Sequence, residues 1–221
     1  MSEAEIDTAD RWDPEPRWPA LIAIIAVAGL YAALPESLVV GPKWLFVVLV
    51  AALLIPTVIS HWKAYHTVNR VLGFTVSGVI TLAMIASVVL LIAGLPDHKE
   101  TPSELLSSAA ELWATNILVF SLWYWRLDAG GPHGRDLRFG HSNGAFLFPQ
   151  MTMPSEIKKR AGKRWSPVFI DYLFLAFNTS TAFSPTDVPV LERWAKVLMM
   201  LQSVISLTVL ALLAARAVNI L

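Results

Sequence analysis

The sequence predicts an all-α protein: a polytopic transmembrane helical bundle of about six spans, forming one membrane domain over 18–221 behind an acidic cytoplasmic tail over 1–17. Three observations predict it. With 55% hydrophobic and 15% charged residues among 221, the chain is more apolar and less charged than soluble domains. Six apolar stretches approach the roughly 20 residues that a bilayer crossing requires. Nine tryptophans accompany only four tyrosines, and amphipathic rings collect where hydrocarbon meets headgroups.

The opening MSEAEIDTADRWDPEPR has no basic region leading into a short apolar core, so it reads as a polar tail and not a signal peptide. The spans follow at 18–35, 44–60, 71–95, 105–125, 165–183 and 194–218. The third and sixth are the longest of these stretches. The fifth, WSPVFIDYLFLAFNTSTAF, carries Asp171 and Asn178, so it reads either as a span or as a re-entrant helix.

Lys and Arg set orientation. With the N-terminus inside, thirteen of the seventeen fall on the cytoplasmic side, many of them in KKRAGKR at 158–164; Lys43, Lys99, Arg193 and Lys196 face out. Tryptophans 18, 62, 123, 125 and 165 then fall at the inner interface, and 44 and 194 at the outer one. The long basic loop 126–164 is marked by glycine and proline, and reads as functional, as disordered, or as docked in the headgroup layer through its apolar patch GAFLFPQM.

Gly73, Ser77 and Thr81 form a small-xxx-small stripe that favours close packing of helices, within the monomer or between copies. Charges inside spans are costly and mark candidate sites. Glu111 sits in the fourth span beside Thr115 and Asn116, and should face another helix or water. Asp171 is read as a helix-start carboxylate or as a charge neutralised by Arg126 or Arg164. In the sixth span Glu192, Met199, Gln202, Ser206, Leu213 and Arg216 recur on one side, to hydrogen-bond neighbouring helices or to line a polar path. The polar-path candidates are therefore Glu111, Asn116, Asp171, Asn178, Thr181, Asp187, Gln202 and Ser206.

No cofactor or metal is expected. Cysteine is absent, His61 and His66 are five apart, and His133, His141 and Asp136 lack ligand spacing. No nucleophile with a base at defensible spacing appears, so no enzyme is expected, and no nucleic-acid partner is expected either.

TAFSPTD at 181–187, followed by Val188 and Pro189, is similar in outline to the filter loop of the two-helix potassium-channel pore. It departs where the chemistry lies: Ser184 and Thr186 replace filter glycines and Pro185 replaces tyrosine, so carbonyl-lined potassium selectivity is not implied. The basic run before it argues for entry from the cytoplasm, a full fifth span and an exposed outer turn, SPTDVPVLER. LWYWRLDAGG, FLFPQ, DYLFLAFNTSTAFSPTDV and the closing AVNIL resemble the bacterial membrane family called domain of unknown function 1345, over residues 105–221. That resemblance implies the fold and the bacterial inner membrane, and no activity.

The function expected is a small channel-like or permease-like transport protein moving an ion or small solute, in contact with the lipid bilayer and as a monomer or homo-oligomer. The alternative is a non-transporting membrane protein that docks a partner or lipid through the basic loop.

Overall fold

The computed structural model describes residues 15–63, 65–94, 101–137, 144–153, 165–184 and 187–218, without the side chains of 102 and 216–218. The acidic residues 1–14, His141, the basic run 158–164, Pro185, Thr186 and the Arg216 side chain lie outside the described residues.

Each expected span holds a helix: α1 Trp18–Ala33, α2 Lys43–Trp62, α3 His66–Gly94 and α4 Pro102–Leu127, then short α5 Gly131–Asp136 and α6 Pro149–Thr152, then α7 Phe169–Ala182 and α8 Arg193–Val218. The bundle is all-α. Four of its helices, α2, α3, α4 (which runs on towards Asp136) and α8, are long and apolar enough to cross a membrane, and α1 is a shorter apolar helix. The chain is a membrane protein by the length and composition of these helices.

Local chemistry fixes the ends. Thr101 accepts from the Glu104 N–H (3.3 Å) while the Glu104 carboxylate accepts from the Thr101 N–H (2.8 Å), a reciprocal cap that starts α4 with Pro102 in its first turn. Inside α2, Pro56 withholds a backbone donor. Nearby, Asn69 of α3 donates to the Thr57 carbonyl (2.7 Å) and to Ser60 Oγ (3.2 Å), which ties α2 to α3.

Helix α4 is the axis of the fold, packed by α1, α3, α7 and α8, while α2 lies outside against α1 and α3. The small-residue stripe of α3 serves this packing: Ser77 is buried, and Thr81 Oγ1 accepts from Trp123 Nε1 of α4 at 2.8 Å. Large apolar side chains such as Leu82, Val89, Val197 and Val204 remain exposed on the outside of the bundle, as a lipid-facing surface requires.

The fifth expected span does not cross. Tyr172, near the start of α7, donates to Asp128 Oδ2 just past the end of α4 (2.6 Å), and the Ala145 N–H donates to Asp128 Oδ1 (2.5 Å). Leu191 N–H donates to the Ala145 carbonyl (2.8 Å) and Leu147 N–H to the Pro189 carbonyl (2.9 Å), flanking an isolated antiparallel bridge between Phe146 and Val190. The start of α7 and the approach to α8 thus meet at one end of the bundle, the end that also holds Glu15 and Arg17. We term it the tail end. Fourteen residues of helix reach about 21 Å, against about 30 Å of hydrocarbon. Helix α7 therefore enters, stops beside the middle of α4, and the chain returns to the side it came from.

Three expectations are corrected by this geometry. The described stretch 187–193 of SPTDVPVLER is not an outer turn: Val188 is buried, and Val190 bridges to Phe146 at the tail end. Trp194 belongs to the tail end, its ring 6.1 Å from that of Phe146. The GAFLFPQM patch is not spread in headgroups, because Ala145, Phe146 and Phe148 are buried in the protein core, with Phe146 packed against Tyr124, Tyr172 and Trp194.

Candidate functional site

The middle of the bundle holds a buried polar clamp on the tip of α7. Gln202 of α8 donates to the Ala176 carbonyl (2.7 Å) and to Ser180 Oγ (2.9 Å), and its Oε1 accepts from the Tyr124 hydroxyl (2.5 Å). Asn116 of α4 donates to the Gln202 carbonyl (3.2 Å) and to Ser180 Oγ (3.4 Å). All four side chains are inaccessible to solvent. Such interhelical bonds satisfy groups that lipid cannot, so Asn116 and Gln202 join helices here. Ser206 Oγ and Asn116 Oδ1 are buried without a hydrogen-bond partner.

Beyond the clamp, α7 ends at Phe183, which adopts a left-handed backbone (φ 52°). Thr181, Ala182, Phe183 and Ser184 are exposed at this tip, and the Thr181 hydroxyl turns back to the Phe177 carbonyl (2.9 Å). Asn178 is half-buried and its carbonyl receives a weaker bond from Thr181 (3.4 Å). Glu111 lies further along α4 towards the far end, near Trp113, whose ring packs edge-on to Phe177 of α7 (6.0 Å). Glu111 is half-buried, with Oε2 buried and unpartnered. The structure brings Asn116, Gln202 and Ser180 together and sets Thr181 apart from them, at the surface. Asp187 is exposed on the returning segment.

Asp171 occupies the first turn of α7 and accepts from the Val168 N–H (2.8 Å), the helix-start role; pairing with Arg126 does not form. Arg164 lies outside the described residues.

The tail end carries a second constellation that sequence reasoning missed. Asp128 is fully buried and receives Tyr172 and the Ala145 N–H as above. Arg135 donates to the Trp125 and Asp128 carbonyls (2.9 and 3.0 Å) and to Glu15 (2.8 Å). Arg17 pairs with Asp136 and Glu15, and Trp125 Nε1 donates to Glu15. Burial lowers the Arg17 pKa, opposed by the Asp136 and Glu15 carboxylates. The turn needs its glycines: Gly131 has φ 82°, and a Cβ there would lie 2.7 Å from the Arg126 carbonyl oxygen. An aspartate placed where a helix C-terminus disfavours negative charge, followed by Gly-Gly, was the available signal.

His66 and His133 stack with ring centroids 3.7 Å apart. Among the described residues no group of three or more His, Asp or Glu is arranged to hold a metal ion. No protein-family model, curated protein or solved structure matches this chain.

Proposed function

We propose that the protein is a small channel-like or permease-like transporter of cations, with α7, the described parts of the return (183–184 and 187–192) and α8 as its pore-loop unit. One observation carries the reading: a half-length helix ends beside the middle of α4 with its last two residues, Thr181 and Ala182, and the non-helical Phe183 and Ser184 exposed on the protein surface. Within hydrocarbon, irregular backbone is tolerated only when covered by protein or facing water. The C-terminal end of a helix carries a negative partial charge, which favours a cation. Thr181 and Ser184 add hydroxyl oxygens there, and Glu111 adds a carboxylate towards the far end.

The tail end is the cytoplasmic one in this reading. Assigning each loop to the end of the bundle on which its flanking helices finish puts fourteen of the seventeen Lys and Arg there, more than the thirteen of the six-crossing arrangement. The pore loop then dips in from the cytoplasm. The resemblance to a bacterial membrane family supports the inner membrane as its location.

The test is flux in reconstituted vesicles. A potassium or sodium gradient should dissipate in proteoliposomes faster than in protein-free vesicles, and Glu111→Gln should change that rate with the protein still folded. Dissipation no faster than in empty vesicles would remove the transport reading. Unchanged flux in the variant would remove Glu111 from it.

A further inference from the structure

We propose that Arg126 binds the phosphate group of an anionic membrane lipid, in the groove between α3 and α4 at the tail end. Arg126 ends the last turn of α4, and its guanidinium lies on the backbone of α3 at Gly73. A Cβ at that position would fall 1.9 Å from Nη1 and 2.8 Å from Cζ, so a side chain there would displace the guanidinium from α3. The same guanidinium stands 5.4 Å from the centre of the Trp125 ring.

A guanidinium offers five N–H donors and no acceptor. Among the described residues Arg126 makes no hydrogen bond and no ion pair, and its Nε is buried without a partner. The neighbouring arginines differ: Arg17 pairs with Glu15 and Asp136, and Arg135 with Glu15 and two carbonyls. Arg17, itself paired with carboxylates, shares the Trp125 ring at 5.8 Å, and Arg70, three residues before Gly73 on α3 with its guanidinium over Phe74, adds positive charge nearby.

Depth selects the ligand. Trp18 and Trp62 stand exposed at this end, the level at which tryptophan meets headgroups. A buried cation without a counterion is costly, and a phosphate accepts the paired N–H bonds a guanidinium is shaped to give. A basic groove between helices at this level suits an anionic headgroup.

The experiment is native mass spectrometry of the detergent-purified protein titrated with phosphatidylglycerol, with phosphatidylcholine as the zwitterionic control. The intact protein should retain phosphatidylglycerol in preference. Arg126→Gln should weaken retention by about tenfold, as expected for losing charge-assisted bonds. Gly73→Ala keeps the charge but fills the notch, should weaken retention as well, and tests the groove even if Arg126→Gln fails to fold. Equal retention of both lipids, or full retention in both variants, would overturn the proposal. Competition by millimolar inorganic phosphate alone would assign the site to a free anion. Lipid binding that appears only after deletion of residues 2–14 would assign the groove to the acidic tail.

Discussion

At the scale of single residues, the decisive groups are polar and buried, and hydropathy reads such positions only as interruptions. Gln202 and Asn116 were visible in the sequence as polar residues on apolar helices, yet nothing there reveals that both close on Ser180. Tyr124 and Tyr172 entered only through the stretches LWYWRLDAGG and DYLFLAF, because nothing in their spacing names a hydrogen-bond partner on another helix. Gln202→Leu leaves the Tyr124 hydroxyl without its acceptor and removes one donor to Ser180, and should destabilise the folded protein by about 1–3 kcal/mol. Tyr124→Phe deletes one bond and should cost about 1 kcal/mol. Unfolding of the purified variants in detergent, followed by circular dichroism, measures both; stability equal to that of the parent would mean that the clamp contributes nothing. Asp128→Asn keeps the shape but weakens a carboxylate that accepts from Tyr172 and Ala145, and should loosen the start of α7 in the same assay.

At the scale of elements, every expected helix is present, because length and apolarity are local properties of the sequence. The path of α7 is not local. Hydropathy cannot tell a half-length helix that returns from one that crosses, and the charge rule, applied to a crossing, put Arg193 and Lys196 on the wrong side of the bundle. The deciding contacts join Ala145 and Leu147 to Leu191 and Pro189, more than forty residues away in the chain. The native chain has no cysteine, so single cysteines test this cleanly. Met153→Cys and Glu192→Cys should react alike with a membrane-impermeant maleimide, both protected in intact cells if the tail end is cytoplasmic. Labelling of Glu192→Cys alone would restore a crossing α7.

At the scale of the whole molecule, four helices long enough to cross, the shorter α1 and the half-length α7 make up the bundle. The exposed apolar side chains of α2, α3 and α8 then face lipid. Leu82, midway along α3, is one of the most exposed among them. Leu82→Arg should impair membrane integration at a cost of about 2.5–3.5 kcal/mol, read as the inserted fraction in a cell-free translocation assay; normal insertion would mean that this face is covered by protein. The bridge between Phe146 and Val190 also constrains biogenesis. When α4 has been inserted, the Asp128 carboxylate has neither Tyr172 nor its place against Ala145, and Ala145 in turn waits for Leu191 to be synthesised. The closing segment thus has to assemble late upon helices already in place, and a ribosome that stalls before residue 189 releases a product in which Ala145 and Leu147 lack Leu191 and Pro189, and α7 lacks the Gln202 clamp.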